Sequence, residues 1–318
     1  MIIRLLCAIL VVCLALFLSA PAAAADRPAL VAGTGLSSQA DAAAGGAEAA
    51  RKAQAQLKGQ TPSLVLVYDN YPDRDKQRLL DAVAGVFPAE LIHGCSAYAP
   101  ITQEGNEGKV GVLALAGVQV TAAMAGAAGG HEACGRQIGQ VLSDVTVPAD
   151  KGKLLILFGN CHIYTNRELV KGVQSELGAT FPIVGGAAEG SRPVYFKGQV
   201  QKNSNVGLLL VGDFAIRTSF QGNKGEGAEV AISTAATAAR ETVGNDRDRT
   251  LLVLAFDCGG RRGWLGNQVA RELEAIKAST GDLPLFGWYG SGEMGIGPDG
   301  RTTGEGYHLS MCAIMRPQ

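Results

Sequence analysis

"LLVLAFDCGGRRGWLG", Leu251–Gly266, decides how this chain is read. Leu251–Phe256 is apolar without interruption, as in a short strand covered on both faces. Asp257, Cys258, two glycines, two arginines and Trp264 follow at once. Two other stretches share the design: "SLVLVYDN" from Ser63 and "LLILFGNC" from Leu154. Each leads into a one-face helical pattern: Leu79, Leu80, Val83, Val86 and Phe87; Leu169, Val170, Val173 and Leu177; Val269, Leu273 and Ile276.

Outward from each run the same order of elements recurs. A short strand with small residues follows the helix: "AELIHGCSAYA" from Ala89, "FPIVGGAAEG" from Phe181 and "LPLFGWYGSGEMG" from Leu283. A further strand closes each unit, and a strand, loop and Ala-rich helix open it. The spacing predicts a β-α-β-α-β-β unit of about 95–100 residues, written three times. The expected fold class is α/β, with mixed, mainly parallel sheets in a pseudo-threefold arrangement. Ala116-Gly117 and Gly212-Asp213 read as two-residue hairpin turns between successive units. The first strand, around Leu30–Val31, and the last, His308–Met315, are expected to pair and close the assembly.

Composition sets bounds. Of 318 residues 47% are apolar and 18% charged, so a large core can form. The net charge of −1 and the lack of a basic run exclude nucleic acid as a main partner. Residues 1–25 read as a cleaved signal peptide: Arg4, an apolar run from Leu5 to Ala20, then Ala23 and Ala25 before Asp26. That run is short for a membrane span of roughly 20 residues. The expected location is periplasmic or secreted, a retained membrane anchor being the alternative. Beyond residue 25 there are five cysteines, Cys95, Cys134, Cys161, Cys258 and Cys312, so at least one is unpaired within the chain.

Ligands of open α/β sheets bind beyond the carboxyl ends of parallel strands. The loops there are Gly33–Ser38, Asp69–Arg74, Gly94–Tyr98, Gly159–Asn166, Gly185–Glu189 and Gly287–Glu293, together with the residues after Phe256. The third unit is the best equipped, with Asp257, Cys258, Arg261, Arg262, Trp264, Trp288, Tyr289 and Glu293. Arg261 or Arg262 suits a carboxylate and Glu293 an ammonium group, with Trp288 and Tyr289 as walls. Such a site fits an amino acid or similar zwitterion. The competing reading of the same residues is an Arg–Glu ion pair that staples two loops.

These residues also resemble the FIST (F-box and intracellular signal transduction) domain family. Cys258 and Arg261 match its Cys-x-x-Arg element; Gly287, Trp288, Tyr289, Gly292 and Glu293 match its Gly-aromatic-Tyr-x-x-Gly-Glu element. "GTGLSSQADAAAGGAEAARKA" from Gly33 is similar to the family's opening strand, Ser-rich loop and helix, and Gly94, Cys95 and Ser96 to its Gly-Cys-Ser turn. The likeness spans roughly residues 30–315. It divides the chain into a signal peptide (1–25), a FIST N-like region holding two units (26–212) and a FIST C-like region (213–318). The resemblance implies a sensory domain that binds small ligands, amino acids among them, with no defined reaction. No kinase, chemoreceptor or cyclase segment accompanies it, so the expectation is an exported ligand-binding protein that reports to a membrane signalling or transport partner. The expected ligand-binding set is Cys258, Arg261, Arg262, Trp288, Tyr289 and Glu293, joined by Gly94, Cys95, Ser96 and Glu189. No cofactor, metal or catalytic residue is expected. The alternative is a hydrolase or redox enzyme that uses Cys258 or Cys161, with His162 as base.

Other signals are weak. His93 and His162 stand beside cysteines, but metal-ligand spacings such as Cys-x-x-Cys are absent. "GTGLSS" lacks the third glycine of a dinucleotide fingerprint, and Gly-x-Ser-x-Gly does not occur. "PVYFKGQVQKN" from Pro193 and "GPDGRTTGEG" from Gly297 read as hairpin excursions that could shield the site.

Overall fold

A computed structural model describes residues 30–162 and 164–318; the signal-peptide segment lies outside them. The first unit runs β1 (Val31–Ser37), α1 (Ala42–Gln56), β2 (Leu64–Asp69), α2 (Lys76–Ala84), β3 (Ile92–Ser96), β4 (Ala99–Thr102) and β5 (Val110–Ala116). The second runs β6 (Gln119–Gly126), α3 (His131–Ser143), β7 (Gly152–Gly159), α4 (Asn166–Leu177), β8 (Ile183–Ala187), β9 (Val194–Phe196), β10 (Gln199–Gln201) and β11 (Ser204–Gly212). The third runs β12 (Ala215–Gly222), α5 (Ala228–Val243), β13 (Thr250–Cys258), α6 (Gly259–Leu265), α7 (Val269–Thr280), β14 (Leu285–Gly290), β15 (Glu293–Ile296), β16 (Thr302–Glu305) and β17 (His308–Met315). The expected β-α-β-α-β-β order is present in all three.

Each unit forms its own sheet, with corresponding orders β1-β5-β2-β3, β6-β11-β7-β8 and β12-β17-β13-β14. One pair per sheet is parallel: β2 with β3, β7 with β8 and β13 with β14. The other pairs are antiparallel, so the sheets are mixed as expected, but the parallel share is confined to the βαβ crossover. Two expectations are corrected. Ala116-Gly117 and Gly212-Asp213 do not make hairpins, because β5 and β6, like β11 and β12, belong to different sheets. Nor do the first and last strands pair: β1 lies on β5, and β17 lies between β12 and β13. Closure comes from the excursions. β9 of unit two extends the first sheet beyond β3, β15 of unit three extends the second beyond β8, and β4 of unit one extends the third beyond β14. Each unit thus lends a strand to another in a closed cycle.

The continuous apolar runs follow from this packing. Leu64, Leu66 and Tyr68 of β2, Leu154, Ile156 and Phe158 of β7, and Leu252, Leu254 and Phe256 of β13 point into one shared core. The alternate residues Val65 and Val67, Leu155 and Leu157, and Val253 and Ala255 face the outer helices. Each buried aliphatic or Phe side chain contributes about 1.5–3 kcal/mol. The alanine stretch of α1 packs tightly on its sheet: Ala49, Ala50 and Ala53 are fully buried. Asp41 starts that helix by accepting from Ala44 N at 2.9 Å.

One glycine position recurs by necessity. Gly94, Gly185 and Gly287 stand opposite Val67, Leu157 and Ala255 in the three parallel pairs. A Cβ on them would lie 1.9, 1.9 and 1.6 Å from those residues' carbonyl oxygens. Among the described residues no helix is long and apolar enough to cross a membrane.

Candidate functional site

The carboxyl ends of the parallel strands from all three units meet at a narrow cleft of about 180 Å³. Tyr98 follows β3. His162 and Tyr164 follow β7. Cys258 and Gly260 come from the end of β13 and the start of α6, Gly290 and Ser291 follow from β14, and Tyr307 precedes β17. Five large apolar or aromatic side chains are exposed among the described residues, and three of them, Tyr98, Tyr164 and Tyr307, line this cleft. Isolated exposed aromatics are ordinary, whereas these three are gathered in one place from distant chain positions. Larger clefts of about 430 and 490 Å³ lie elsewhere, with no aromatic side chain in their linings.

Local backbone shapes the cleft. Cβ atoms on Gly259 and Gly260 would come within 2.4 Å of the Tyr98 ring and 2.5 Å of the Tyr307 ring, so the start of α6 is small to seat both tyrosines. Tyr307 itself holds a left-handed φ of 56°. For a bulky residue such a conformation costs roughly 1–3 kcal/mol and persists only where surroundings enforce it. Its ring stacks on Trp264. Tyr98 OH lies 3.4 Å from Ser291 Oγ, which also accepts from Gly190 N at 2.7 Å.

Beside Cys258 lies a buried charged cluster. Arg261 is fully buried; its Nε donates to Asp257 at 2.6 Å and an Nη to Glu272 at 2.5 Å. Further donations go to Asn223 and to the carbonyl of Ala231. Glu272 also accepts from Tyr289 OH at 2.7 Å, and Asn106 donates to that hydroxyl at 3.0 Å. Glu293 is buried; one oxygen accepts from His308 N at 3.1 Å. Glu293 Oε1 and Asp257 Oδ2 are buried without a hydrogen-bond partner. Burial, then the Asp257 charge, raises the Glu293 carboxyl well above the usual range. The same two causes push Glu272 up to about 8, against the pull of Arg261. Burial and the Glu293 charge push the Cys258 thiol up to about 12.

The structure distributes the expected site residues unevenly. Cys258 lines the cleft, and Glu293 adjoins it closely enough for each to perturb the other. Arg261 is near both but committed to Asp257, Glu272, Asn223 and Ala231, so the ion-pair staple is what it forms, with Glu272 rather than Glu293. Arg262 lies over the Tyr289 ring, 5.0 Å from its centroid, and donates to the Asn106 carbonyl. Trp288 is a core residue packed on Tyr68, Phe158 and Phe256. Tyr289 is buried behind Glu272, so neither aromatic is a wall. Gly94, Cys95 and Ser96 are buried in β3. Ser96 Oγ accepts from the buried Lys76 at 3.0 Å and donates to Glu189 at 3.3 Å; Lys76 also pairs with Asp69 at 3.0 Å. Glu189 approaches the cleft only through its neighbour Gly190. The five described cysteines are free thiols, and no group of three or more His, Cys, Asp or Glu among the described residues is placed to hold a metal. Sequence reasoning missed Tyr98, Tyr164, Tyr307 and Ser291. All four lie in or beside the loops it named, but singly, with no spacing that marks them.

Fold and cleft together define a three-sheet α/β protein with a small aromatic site where the strand ends meet. The FIST N domain matches residues 63–243, and the chain belongs to that family, a signalling-type domain. Comparison with curated proteins returns no match. Among solved structures the chain is similar to cyanuric acid hydrolase from A. caulinodans, with 11% identity and a TM-score of 0.47, covering 91% of this chain and 100% of that one. It is also similar to a cyanuric acid hydrolase described as an evolutionary innovation by structural concatenation, with 12% identity, a TM-score of 0.40 and the same coverages.

Proposed function

We propose that the protein is an exported sensory-type binder that takes a small ligand in the cleft between its three units, without transforming it. The observation that carries this reading is the convergence of Tyr98, Tyr164 and Tyr307 from three chain regions over Cys258. At about 180 Å³ the cleft is below the roughly 300–1,000 Å³ of drug-sized sites, which suits a guest of a few heavy atoms. Export rests on the signal-like segment at residues 1–25. A membrane signalling or transport protein is the partner class such a binder would serve.

The rival enzyme reading finds little support in the thiols. A nucleophilic cysteine acts as thiolate. Cys258 and the buried Cys161 are both held towards the neutral form by burial. The test is a screen of amino acids, amines, organic acids and sugars, read by tryptophan fluorescence and thermal shift. Saturable responses in one chemical class that weaken in Tyr98→Leu are expected. Silence across every class, or turnover that thiol alkylation abolishes, would overturn the reading.

A further inference from the structure

The cleft's lining and its surroundings carry the ligand's chemistry one step further. Three tyrosines, Tyr98, Tyr164 and Tyr307, are in its lining, and the faces of tyrosine rings attract cations. Beside Cys258 are three buried carboxyls, Asp257, Glu272 and Glu293, and one buried guanidinium, that of Arg261, which pairs with the first two. Arg261 Nε and Nη serve Asp257 and Glu272, and Glu293 has no side-chain cation of its own: it accepts from His308 N, and the Cys258 thiol beside it also favours its charged form. Its second oxygen, in a residue only 1% exposed, has no partner at hydrogen-bond geometry, and the one group beside it that favours its charge is the thiol of Cys258, a cleft-lining residue. A buried, unsatisfied carboxyl oxygen calls for a donor or a positive charge. Arg261 itself offers an anion nothing, because every one of its nitrogens is engaged.

Resting on the reading of the cleft as a binding site, we propose that its ligand is a small organic cation, an ammonium group enclosed by the faces of Tyr98, Tyr164 and Tyr307 above Cys258 and balancing the charge of Glu293. The groups that face Glu293 fix how binding answers to pH. Asp257 and Cys258 come from β13, Arg261 from α6, Glu272 from α7 and the His308 backbone from β17, while Glu305 of β16 stands opposite Glu293 in the strand pair and is ion-paired to Arg167 of α4. Apart from Arg261, and Arg167 which is committed to Glu305, these are acids, and burial with the Asp257 charge keeps protons on Glu272 and Glu293 when no guest is present. A cation entering the cleft displaces one of them, and affinity rises with pH.

The discriminating probes are choline chloride and dimethylbutanol, its neutral carbon isostere, with alanine as zwitterion and acetate as anion. Each is titrated into the protein while Trp264 fluorescence and binding heat are followed. Choline is expected to bind at least tenfold more tightly than the isostere and to release protons, seen as a dependence of the heat on buffer ionisation. Glu293→Gln and, as a surface variant that leaves the core intact, Tyr98→Leu are expected to weaken choline at least tenfold and severalfold, respectively. Equal affinity for choline and its isostere, or no response to choline, overturns the cation assignment. A response to alanine, acetate or another class in the wider screen would then leave the cleft standing as a binding site for a different guest. Silence in both experiments removes the two together.

Discussion

The indole of Trp264 lies on the ring of Tyr307, with centroids 4.6 Å apart and planes 15° from parallel. Tyr307 borders the cleft and Trp264 is half-buried beside it, whereas Trp288 is sealed in the central core. The two tryptophans therefore report on different places. Acrylamide is expected to quench Trp264 and leave Trp288 nearly dark to it. In Trp264→Phe the remaining emission is expected to be blue-shifted and resistant to quencher. Equal quenching of both indoles would contradict the placement of Trp288.

Arg261 is the centre of a buried network, and its loss is expected to be felt in stability. Removing it leaves Asp257 and Glu272 as uncompensated buried carboxyls, a change that costs about 3–5 kcal/mol in comparable networks. Arg261→Met is expected to lower the unfolding free energy, measured by urea titration, by that order. Arg261→Lys recovers only part, since an ammonium cannot serve Asp257, Glu272, Asn223 and Ala231 at once. A loss below about 1 kcal/mol in Arg261→Met would show that the guanidinium is dispensable to the fold.

The same residue shows where sequence reading stops. The runs at Ser63, Leu154 and Leu251 revealed three units because a strand apolar on both faces has a local signature. The hairpin character of Pro193–Asn203 and Gly297–Gly306 was legible for the same reason. Which sheet a hairpin joins was not, because that depends on tertiary docking. Gly117 and Gly212 look alike as turn residues whether the next strand folds back or crosses to a new sheet. In the site, Arg261, Trp288 and Tyr289 drew attention through their chemistry, and that chemistry satisfies the interior. The tyrosines that reach solvent are far apart in sequence and only the closed cycle of strands gathers them. Cys258 and Glu293 were singled out because their motif sits at a strand end.

Glycines at corresponding positions give a test of the triplicate architecture. Ala at Gly94, Gly185 or Gly287 would drive a Cβ into a neighbouring strand's carbonyl, and backbone cannot yield as a flexible side chain does. Each single substitution is expected to cost several kcal/mol or abolish folding, by about the same amount in all three units. Gly263 in α6 is the control. Nothing lies within 4 Å of the Cβ position there, so Gly263→Ala is expected to be stabilising by about 0.4–1 kcal/mol. Chemical unfolding of the four variants checks this, and a well-tolerated Ala at any one of the three would break the equivalence of the units.

The carboxyl cluster predicts an uncommon pH dependence. A carboxyl whose folded pKa lies above its unfolded value binds more protons in the native state across the interval between the two. Stability then falls as pH rises through that interval. For Glu272 the interval runs from about 4.3, the unfolded value, to about 8, and Glu293 acts in the same direction. His93 opposes them over part of the range. Burial, with Lys197 adding, pushes its imidazole down to about 4, so its contribution grows as pH rises to about 6.5 and is constant above. His131, also lowered by burial, acts as His93 does, so neither contributes to the slope between pH 6.5 and 8, where the melting temperature is expected to decline with rising pH, the buried thiols adding in the same direction towards pH 8. Glu293→Gln, which cannot ionise, is expected to flatten the slope, and choline at saturating concentration to reduce it further in the wild type. A melting temperature that is level or rising between pH 6.5 and 8 would mean that Glu272 and Glu293 are already ionised in the folded protein, with Arg261 stabilising more negative charge than its contacts to Asp257 and Glu272 account for.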